Sequence, residues 1–354
     1  YHRIPAGRGN KLRKRASGME LAFLAFTDKG FQLAQKLAES LGGSVMRCGQ
    51  PDSLKEWTAR EFARADGLVF VGAVGIAVRA IAPYLDKKWK DPAVVVVDET
   101  ARFAISLVSG HLGGANRLTR MIASRCGAQP VITTATDVNG VFGVDDWARE
   151  QGLWIPDPQH IRLISSKLLA GGTIRLYSRW PISGRCPEGV ELVSDLPADV
   201  AVSFRGEQEA TLSLVAPAVV LGIGCRKGTP AEKLEQVLQD FLTEAGLDGR
   251  AVCGVASIDL KKEEPGLLTF CQAHNWSFVT YTAQELAQVS GNFSPSDFVK
   301  QVTGVDNVCE RSAVAAVGGA LLYPKFAKEG VTMAAALKAP VLTWNQGISP
   351  ETEA

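Results

Sequence analysis

Between residues 20 and 140 the chain repeats one pattern: a strand-length apolar run, a glycine or polar turn, then apolar residues at helical spacing. Glu20–Phe26 reads as a buried strand, and Thr27-Asp28-Lys29-Gly30 turns into a helix through about residue 41. Phe31, Leu33, Ala34, Leu37, Ala38 and Leu41 form its apolar stripe. Val45–Cys48 is a second strand, followed by a helix from about Asp52, read as its cap, to Arg64. Gly67–Gly72 is a third strand, and Ala73-Val-Gly75-Ile-Ala-Val-Arg79 opens a helix that Pro83 interrupts or closes. Ala93–Val97 then ends in Asp98 and Glu99. Ser109-Gly-His-Leu-Gly-Gly-Ala-Asn116 starts a further helix, and Pro130–Gly140 is a strand with a polar end. Strands alternating with helices predict a parallel, helix-covered sheet whose ligand loops lie at the strand C-termini.

The rest of the chain has a different texture. Residues 145–151 and 161–170 read as helices, and 173–178, 190–193, 200–204 and 211–215 as short strands between Gly, Pro and acidic turns. Ala216-Pro217 reads as a hinge into Val219-Val-Leu-Gly222-Ile-Gly224-Cys-Arg226-Lys227-Gly228, a strand and a glycine-basic loop. A helix capped by Thr229, with Pro230 at its first position, is expected to run to about Glu244. A strand at 252–257, helices near 265–274, 282–289, 295–303 and 310–319, and strands near 277–280 and 331–337 complete the reading. The expected class is α/β: an N-terminal parallel α/β domain (19–140), a small β-containing middle module (141–216) and a C-terminal α/β domain (217–340). Residues 1–18 are read as a basic extension and 341–354 as a tail.

Composition excludes several functions. No apolar stretch approaches the roughly 20 residues that cross a bilayer, so membrane insertion is not expected. The net charge of +1 hides six cationic side chains and no acid in residues 1–18. Such a tail can bind nucleic acid, but it lacks interleaved aromatics and precedes a strand-like run. It is read as an upstream extension with Met19 the natural start, and nucleic-acid binding is not expected. No apolar segment makes it a signal peptide. Seven cysteines are scattered without a Cys-x-x-Cys pair, which argues against structural zinc and for reduced thiols in the cytoplasm.

Four stretches, Gly75–Pro83, Asp91–Asp98, Ser109–Asn116 and Val131–Asp137, resemble the N-terminal domain of the cobalt-precorrin-5A hydrolase family, CbiG. Gly222–Gly228, Ala256–Lys261, Glu264-Pro-Gly266 and Pro295-Ser-Asp-Phe-Val resemble its C-terminal domain, shared with the CobE proteins. The resemblance runs in order from about residue 19 to about 340; the basic tail and residues 341–354 stand outside it. It implies anaerobic cobalamin biosynthesis: opening of the δ-lactone of a ring-contracted cobalt tetrapyrrole, with the two-carbon fragment leaving as acetaldehyde. Cobalt would arrive inside the corrinoid substrate, so no cofactor or metal of the protein's own is implied. Neighbouring pathway enzymes are possible partners. A non-catalytic corrinoid-binding or channelling protein is the alternative.

Lactone hydrolysis needs a proton acceptor for water and donors for the oxyanion, and the substrate's carboxylate arms call for cations and helix N-termini. Among four histidines, glycine-flanked His111 is the best candidate base, a structural histidine being the alternative. Asp137 is the second catalytic candidate; Asp28 and Asp98 also close strands, and turn chemistry is the alternative, with Asp28 and Asp137 where Asx turns are expected. Gly72, Gly75, Gly110, Gly113 and Gly114 could offer backbone amides, or only allow close packing. Ser109, Arg79 and Asn116 are substrate-binding candidates, with solvation of Arg79 and helix capping by Asn116 as alternatives. In the C-terminal domain Gly222, Gly224, Arg226 and Lys227 form a glycine-basic loop without nucleotide-binding spacing, which suits a substrate carboxylate or the tetrapyrrole edge better. Ser257, Asp259, Lys261 and Glu264 form a second polar cluster there, read as substrate-binding with an exposed loop as the alternative. Motif loops at both ends of the chain predict a cleft between the two terminal domains.

Overall fold

The computed structural model describes residues 19–87 and 89–344, so the basic extension and most of the expected tail lie outside the described residues. The chain divides into two compact units. The first holds the residues up to Glu150, Pro158–Thr173 and Pro187–Val190; the second holds Gln151–Asp157, Ile174–Cys186 and the residues from Glu191 on.

In the first unit β1 (Leu21–Ala25), β2 (Ser44–Arg47), β3 (Gly67–Val71), β4 (Ala93–Val97), β5 (Phe103–Val108) and β6 (Gln129–Val131) form one sheet. Their order is β2-β1-β3-β4-β5-β6. Successive side chains of a strand point to opposite faces. Leu21, Phe23, Val69, Val71, Val95 and Val97 therefore meet α1 (Asp28–Leu41) and α4 (Ala115–Cys126) through Leu37, Leu118 and Ile122. Leu24, Leu68, Phe70, Val94 and Val96 meet α2 (Leu54–Arg64) and α3 (Val74–Ile81) through Trp57, Phe62 and Ile81. Burial on both faces is why the central strands read as unbroken apolar runs. The cap of α2 is Ser53, in a capping box with Glu56, one residue past the expected Asp52.

Against the expected parallel order, two strands, β5 and β6, run opposite to the rest of the sheet. Only residues 98–102 separate β4 from β5, too few for a parallel crossover of a dozen or more, and the pair is antiparallel. The Asp98 carboxylate closes this turn, accepting from the amides of Thr100 and Phe103 at 2.9 and 2.6 Å. The C-terminal ends of β1, β3 and β4 thus share one edge, while those of β5 and β6 lie on the other. The helices α5 (Ala135–Val138), α6 (Val144–Glu150) and α7 (Ile161–Leu169) follow β6.

Beyond α7, β7 (Ile174–Ser178), β9 (Val190–Val193), β10 (Ala198–Ser203) and β11 (Ala210–Val215) form a sheet in the order β11-β10-β7-β9. The short β8 (Ile182–Ser183) pairs with β17 (Leu342–Thr343). The larger sheet of the second unit has the order β14-β13-β12-β16-β15. In it β12 (Val219–Cys225), β13 (Val252–Ile258) and β14 (Ser277–Tyr281) run parallel. The hairpin of β15 (Leu321–Lys328) and β16 (Val331–Leu337) adds on antiparallel. Its helices are α8 (Ala231–Ala245), α9 (Pro265–His274), α10 (Ala283–Gln288), α11 (Asp297–Thr303) and α12 (Cys309–Val317). α8 starts at Pro230 without a side-chain cap; Thr229, the expected cap, donates its hydroxyl to the Arg226 carbonyl at 2.8 Å. No helix among the described residues is long and apolar enough to cross a membrane.

Candidate active site

The loop from β5 to α4 is built by its glycines. A Cβ on Gly113 would stand 2.2 Å from that of Ser109, so only glycine lets the loop fold back on itself. Gly114, with φ at 86°, takes the left-handed turn that admits the chain to α4. The amides of Gly114, Ala115 and Asn116 donate to the carbonyls of His111, Ser109 and Gly110 at 2.8, 3.1 and 2.9 Å. The helix start therefore closes on its own loop, and these amides are not the free anion donors that the glycine spacing suggested.

What the loop presents is His111. Its Nδ1 pairs with the Asp146 carboxylate, and its Nε2 lies 2.8 Å from the Thr136 hydroxyl. Asp137 stands 3.6 Å from the same Nε2. Asp146 is held in turn by Arg149 at 2.8 Å, one turn along α6. Asn116, only 1% exposed, ties the site together. It accepts from Ser106 at 2.7 Å and donates to Thr134 and Asp137, both at 2.9 Å. Asn116 is thus a strut between β5, α4 and α5, not a helix cap. Arg120 pairs with Asp137 from the solvent side.

These contacts divide the ionisations. Burial opposes a charge on His111, but its bond to Asp146 and the fields of Asp145, Asp146 and Asp137 outweigh that and raise its pKa. Burial also opposes the charge on Asp146, yet His111 and Arg149 hold its carboxyl below the usual range. Burial pushes the carboxyl of its neighbour Asp145 up by more than the His111 field lowers it, so Asp145 keeps its proton to higher pH. Two adjacent carboxyls with pKa values driven apart are the arrangement that separates an acid from a base. Asp146 accepts from Nδ1, which fixes the tautomer and leaves Nε2 to accept from Thr136.

Beside this group lies a cavity of about 280 Å³. Ser109, His111, Asn116, Thr134, Asp145 and Ile161 are among its walls. It falls just below the roughly 300–1,000 Å³ of pockets that bury a whole drug-sized ligand. His111, Asp137 and Asp146 also place ligand atoms within 4.8 Å of one another, the spacing of a cation site. Both carboxylates already carry a guanidinium, and both ring nitrogens are engaged. The group is a closed hydrogen-bonded network rather than an open ligand set.

The other expected residues fall elsewhere. Gly72, Gly75 and Arg79 lie at the β3–α3 junction, on the opposite edge of the sheet from His111. A Cβ on Gly72 would meet the Phe26 ring at 2.7 Å, a packing reason for that glycine. Asp28 is exposed on Arg47, and Asp98 is the turn residue described above. In the second unit Gly222 and Gly224 are interior residues of β12. A Cβ on Gly222 would collide with the Cys309 carbonyl at 1.7 Å, and one on Gly224 with Thr332 at 2.7 Å, so packing accounts for both. Ser257 is buried and donates to the Ile223 carbonyl at 2.7 Å, which makes it a strut. Lys261 pairs with Glu264 at 2.8 Å, and Glu264 accepts from the Gly228 amide at 2.7 Å, joining the loops after β12 and β13. The Lys261 bond lowers the pKa of Glu264. Arg226 and Lys227 are exposed in the first of these loops.

Thr136, Asp145, Asp146 and Arg149 were not among the expected site residues. Thr136 adjoins Asp137 in a motif already singled out. The Asp145-Asp146 pair was readable as acids at a helix start, which favours them there electrostatically. Nothing in the spacing of 111 and 146 brings those two residues together.

The model for "Cobalamin synthesis G N-terminal" matches residues 56–137, and that for "Cobalamin synthesis G C-terminus" matches 219–336. The chain is 35% identical over 340 residues to a cobalt-precorrin-5A hydrolase of Salmonella typhimurium, covering 88% of this chain and 96% of that one. It is 34% identical over 293 residues to the cobalt-precorrin-5A hydrolase of Priestia megaterium, covering 77% and 78%. Protein CobE of Sinorhizobium sp matches at 32% over 114 residues, 32% of this chain and 74% of that one.

Proposed function

The chain belongs to the cobalt-precorrin-5A hydrolase family, and from that premise we propose that its first unit opens the substrate lactone at the His111 group. It is a hydrolase of cobalamin biosynthesis acting on a cobalt-precorrin. The observation that carries the site assignment is the run Thr136–His111–Asp146–Arg149 beside a cavity too small for the macrocycle but adequate for its lactone edge.

Water attacks the lactone carbonyl and passes its proton through the Thr136 hydroxyl to Nε2 of His111. Asp146 stabilises the imidazolium that forms. As the acyl–oxygen bond breaks, Asp145 gives its proton to the departing ring oxygen. The freed hydroxyl then returns its proton to the Asp145 carboxylate, the carbon–carbon bond to the macrocycle breaks, and acetaldehyde leaves while the electron pair stays on the macrocycle. Cobalt enters within the substrate, and the His111 group handles protons rather than a metal of its own. Arg226 and Lys227 of the second unit carry the charge that suits the substrate's carboxylate arms. The seven cysteines form no disulfide with one another, which fits a cytoplasmic enzyme.

The test is anaerobic incubation of the purified protein with the lactone substrate in the presence of a chelator, with acetaldehyde measured. Stoichiometric acetaldehyde is expected. Tight corrinoid binding without product would favour the carrier reading instead.

A further inference from the structure

Ser109 carries two local costs that the fold does not require of a serine. Its φ is 60°, the left-handed region that non-glycine residues reach only with strain. Its hydroxyl oxygen is buried without a hydrogen-bond partner among the described residues, on a residue 8% exposed. A buried hydroxyl left unpaired loses the bond that water would supply. A glycine at 109 would remove both costs and leave the carbonyl that Ala115 needs. The same residue is part of the wall of the cavity, together with His111 and Asp145. Around it the polar side chains are already paired: Asn116 with Ser106, Thr134 and Asp137, and His111 with Asp146 and Thr136.

We propose that Ser109 donates its hydroxyl hydrogen to the lactone carbonyl oxygen as that oxygen takes on negative charge, which makes it a catalytic residue in its own right. This rests on the lactone-opening reading above. A donor held before substrate arrives needs no reorganisation during reaction, which is where such groups are most effective. The left-handed backbone is then the means of holding Ser109 in the cavity wall.

Ser109→Ala and Ser109→Gly test this by steady-state kinetics and thermal melting. Both lack the hydroxyl, but alanine keeps the strained backbone and glycine relaxes it. Both are expected to lose about 10²–10³-fold in kcat, the usual effect of removing one oxyanion donor, with KM changed less than about threefold. Ser109→Gly is expected to melt no lower than wild type, because glycine adopts this φ freely. Wild-type kcat in either variant overturns the proposal. So does loss in the glycine variant alone, which would assign the effect to loop shape. Should alanine fail to fold, Ser109→Cys, which keeps a Cβ but has only a weak donor, takes its place beside the glycine variant. If the wild-type protein leaves the lactone intact, the lactone reading itself fails, an outcome distinct from active variants of an active enzyme.

Discussion

Two glycine-rich strand-to-helix junctions of the first unit look alike in sequence: Gly72–Arg79 and Ser109–Asn116. In the folded chain they lie on opposite edges of one sheet, separated by a strand length of about 17 Å for five residues. The reason is the five-residue turn after β4, which reverses β5 and carries its C-terminal loop to the far edge. The two junctions also differ in what surrounds them. At the first, the described side chains are Phe26 against Gly72 and a largely exposed α3, whose Val74, Ile76 and Val78 face solvent. At the second, an imidazole, two acids, a hydroxyl and a guanidinium are interlocked beside a cavity. A glycine turn after a strand is therefore only a place where chemistry can be mounted. Which junction carries it depends on what later segments deliver, here α5 and α6.

The comparison can be broken most directly at its centre. Replacing His111 with alanine is expected to lower kcat for acetaldehyde release by roughly 10³-fold or more while far-UV dichroism stays native, because the proton acceptor is lost. Replacing Asp145 with asparagine is expected to cost about 10²-fold, since the departing oxygen loses its acid but keeps a polar neighbour. An Asp145→Asn enzyme with normal kcat would hand the acid role to another group.

Acidity sharpens the contrast further. The folded pKa of His111 is raised above its ordinary 6.5, so the stability it contributes is fully present below 6.5 and lost as pH climbs through the raised value. The depressed carboxyl of Asp146 acts oppositely: its stability is present at neutral pH and lost as pH falls through its folded pKa. On the proposed base role neutral His111 is the active form, so the rising limb of the kcat profile should fall where the His111 stabilisation declines, and loss of the Asp145 proton should set the falling limb. Melting curves and kcat profiles should cross in this way for wild type, and the alkaline loss of stability should flatten in His111→Gln. Parallel trends would contradict a base role for this imidazole.

The smallest effect is expected at the other junction. Arg79→Ala should leave kcat within about threefold of wild type, any loss appearing in KM, because α3 does not reach the His111 edge. A kcat loss as large as that of His111→Ala would reverse the assignment of the two edges.

The sequence by itself determined the α/β class, the central strands and most of the helices. Those follow from local periodicity, as in Ala93–Val97, buried on both faces, or α1 with its stripe of Ala34 and Leu37. It also placed His111 in a glycine loop. It did not reveal the reversal at residues 98–102, because β5 is mostly half-buried and its apolar residues do not alternate strictly. Nor could it assemble the site. His111 meets Asp146 across 35 residues and Thr136 across 25, contacts that arise only when α5 and α6 pack beside the β5–α4 loop. Glycines likewise read alike in sequence: Gly222 proved to be room for the Cys309 carbonyl, and Gly113 room for Ser109. Periodicity is a property of neighbours along the chain, whereas burial, pairing and shifted pKa values belong to neighbours in space, and only the tertiary structure decides those.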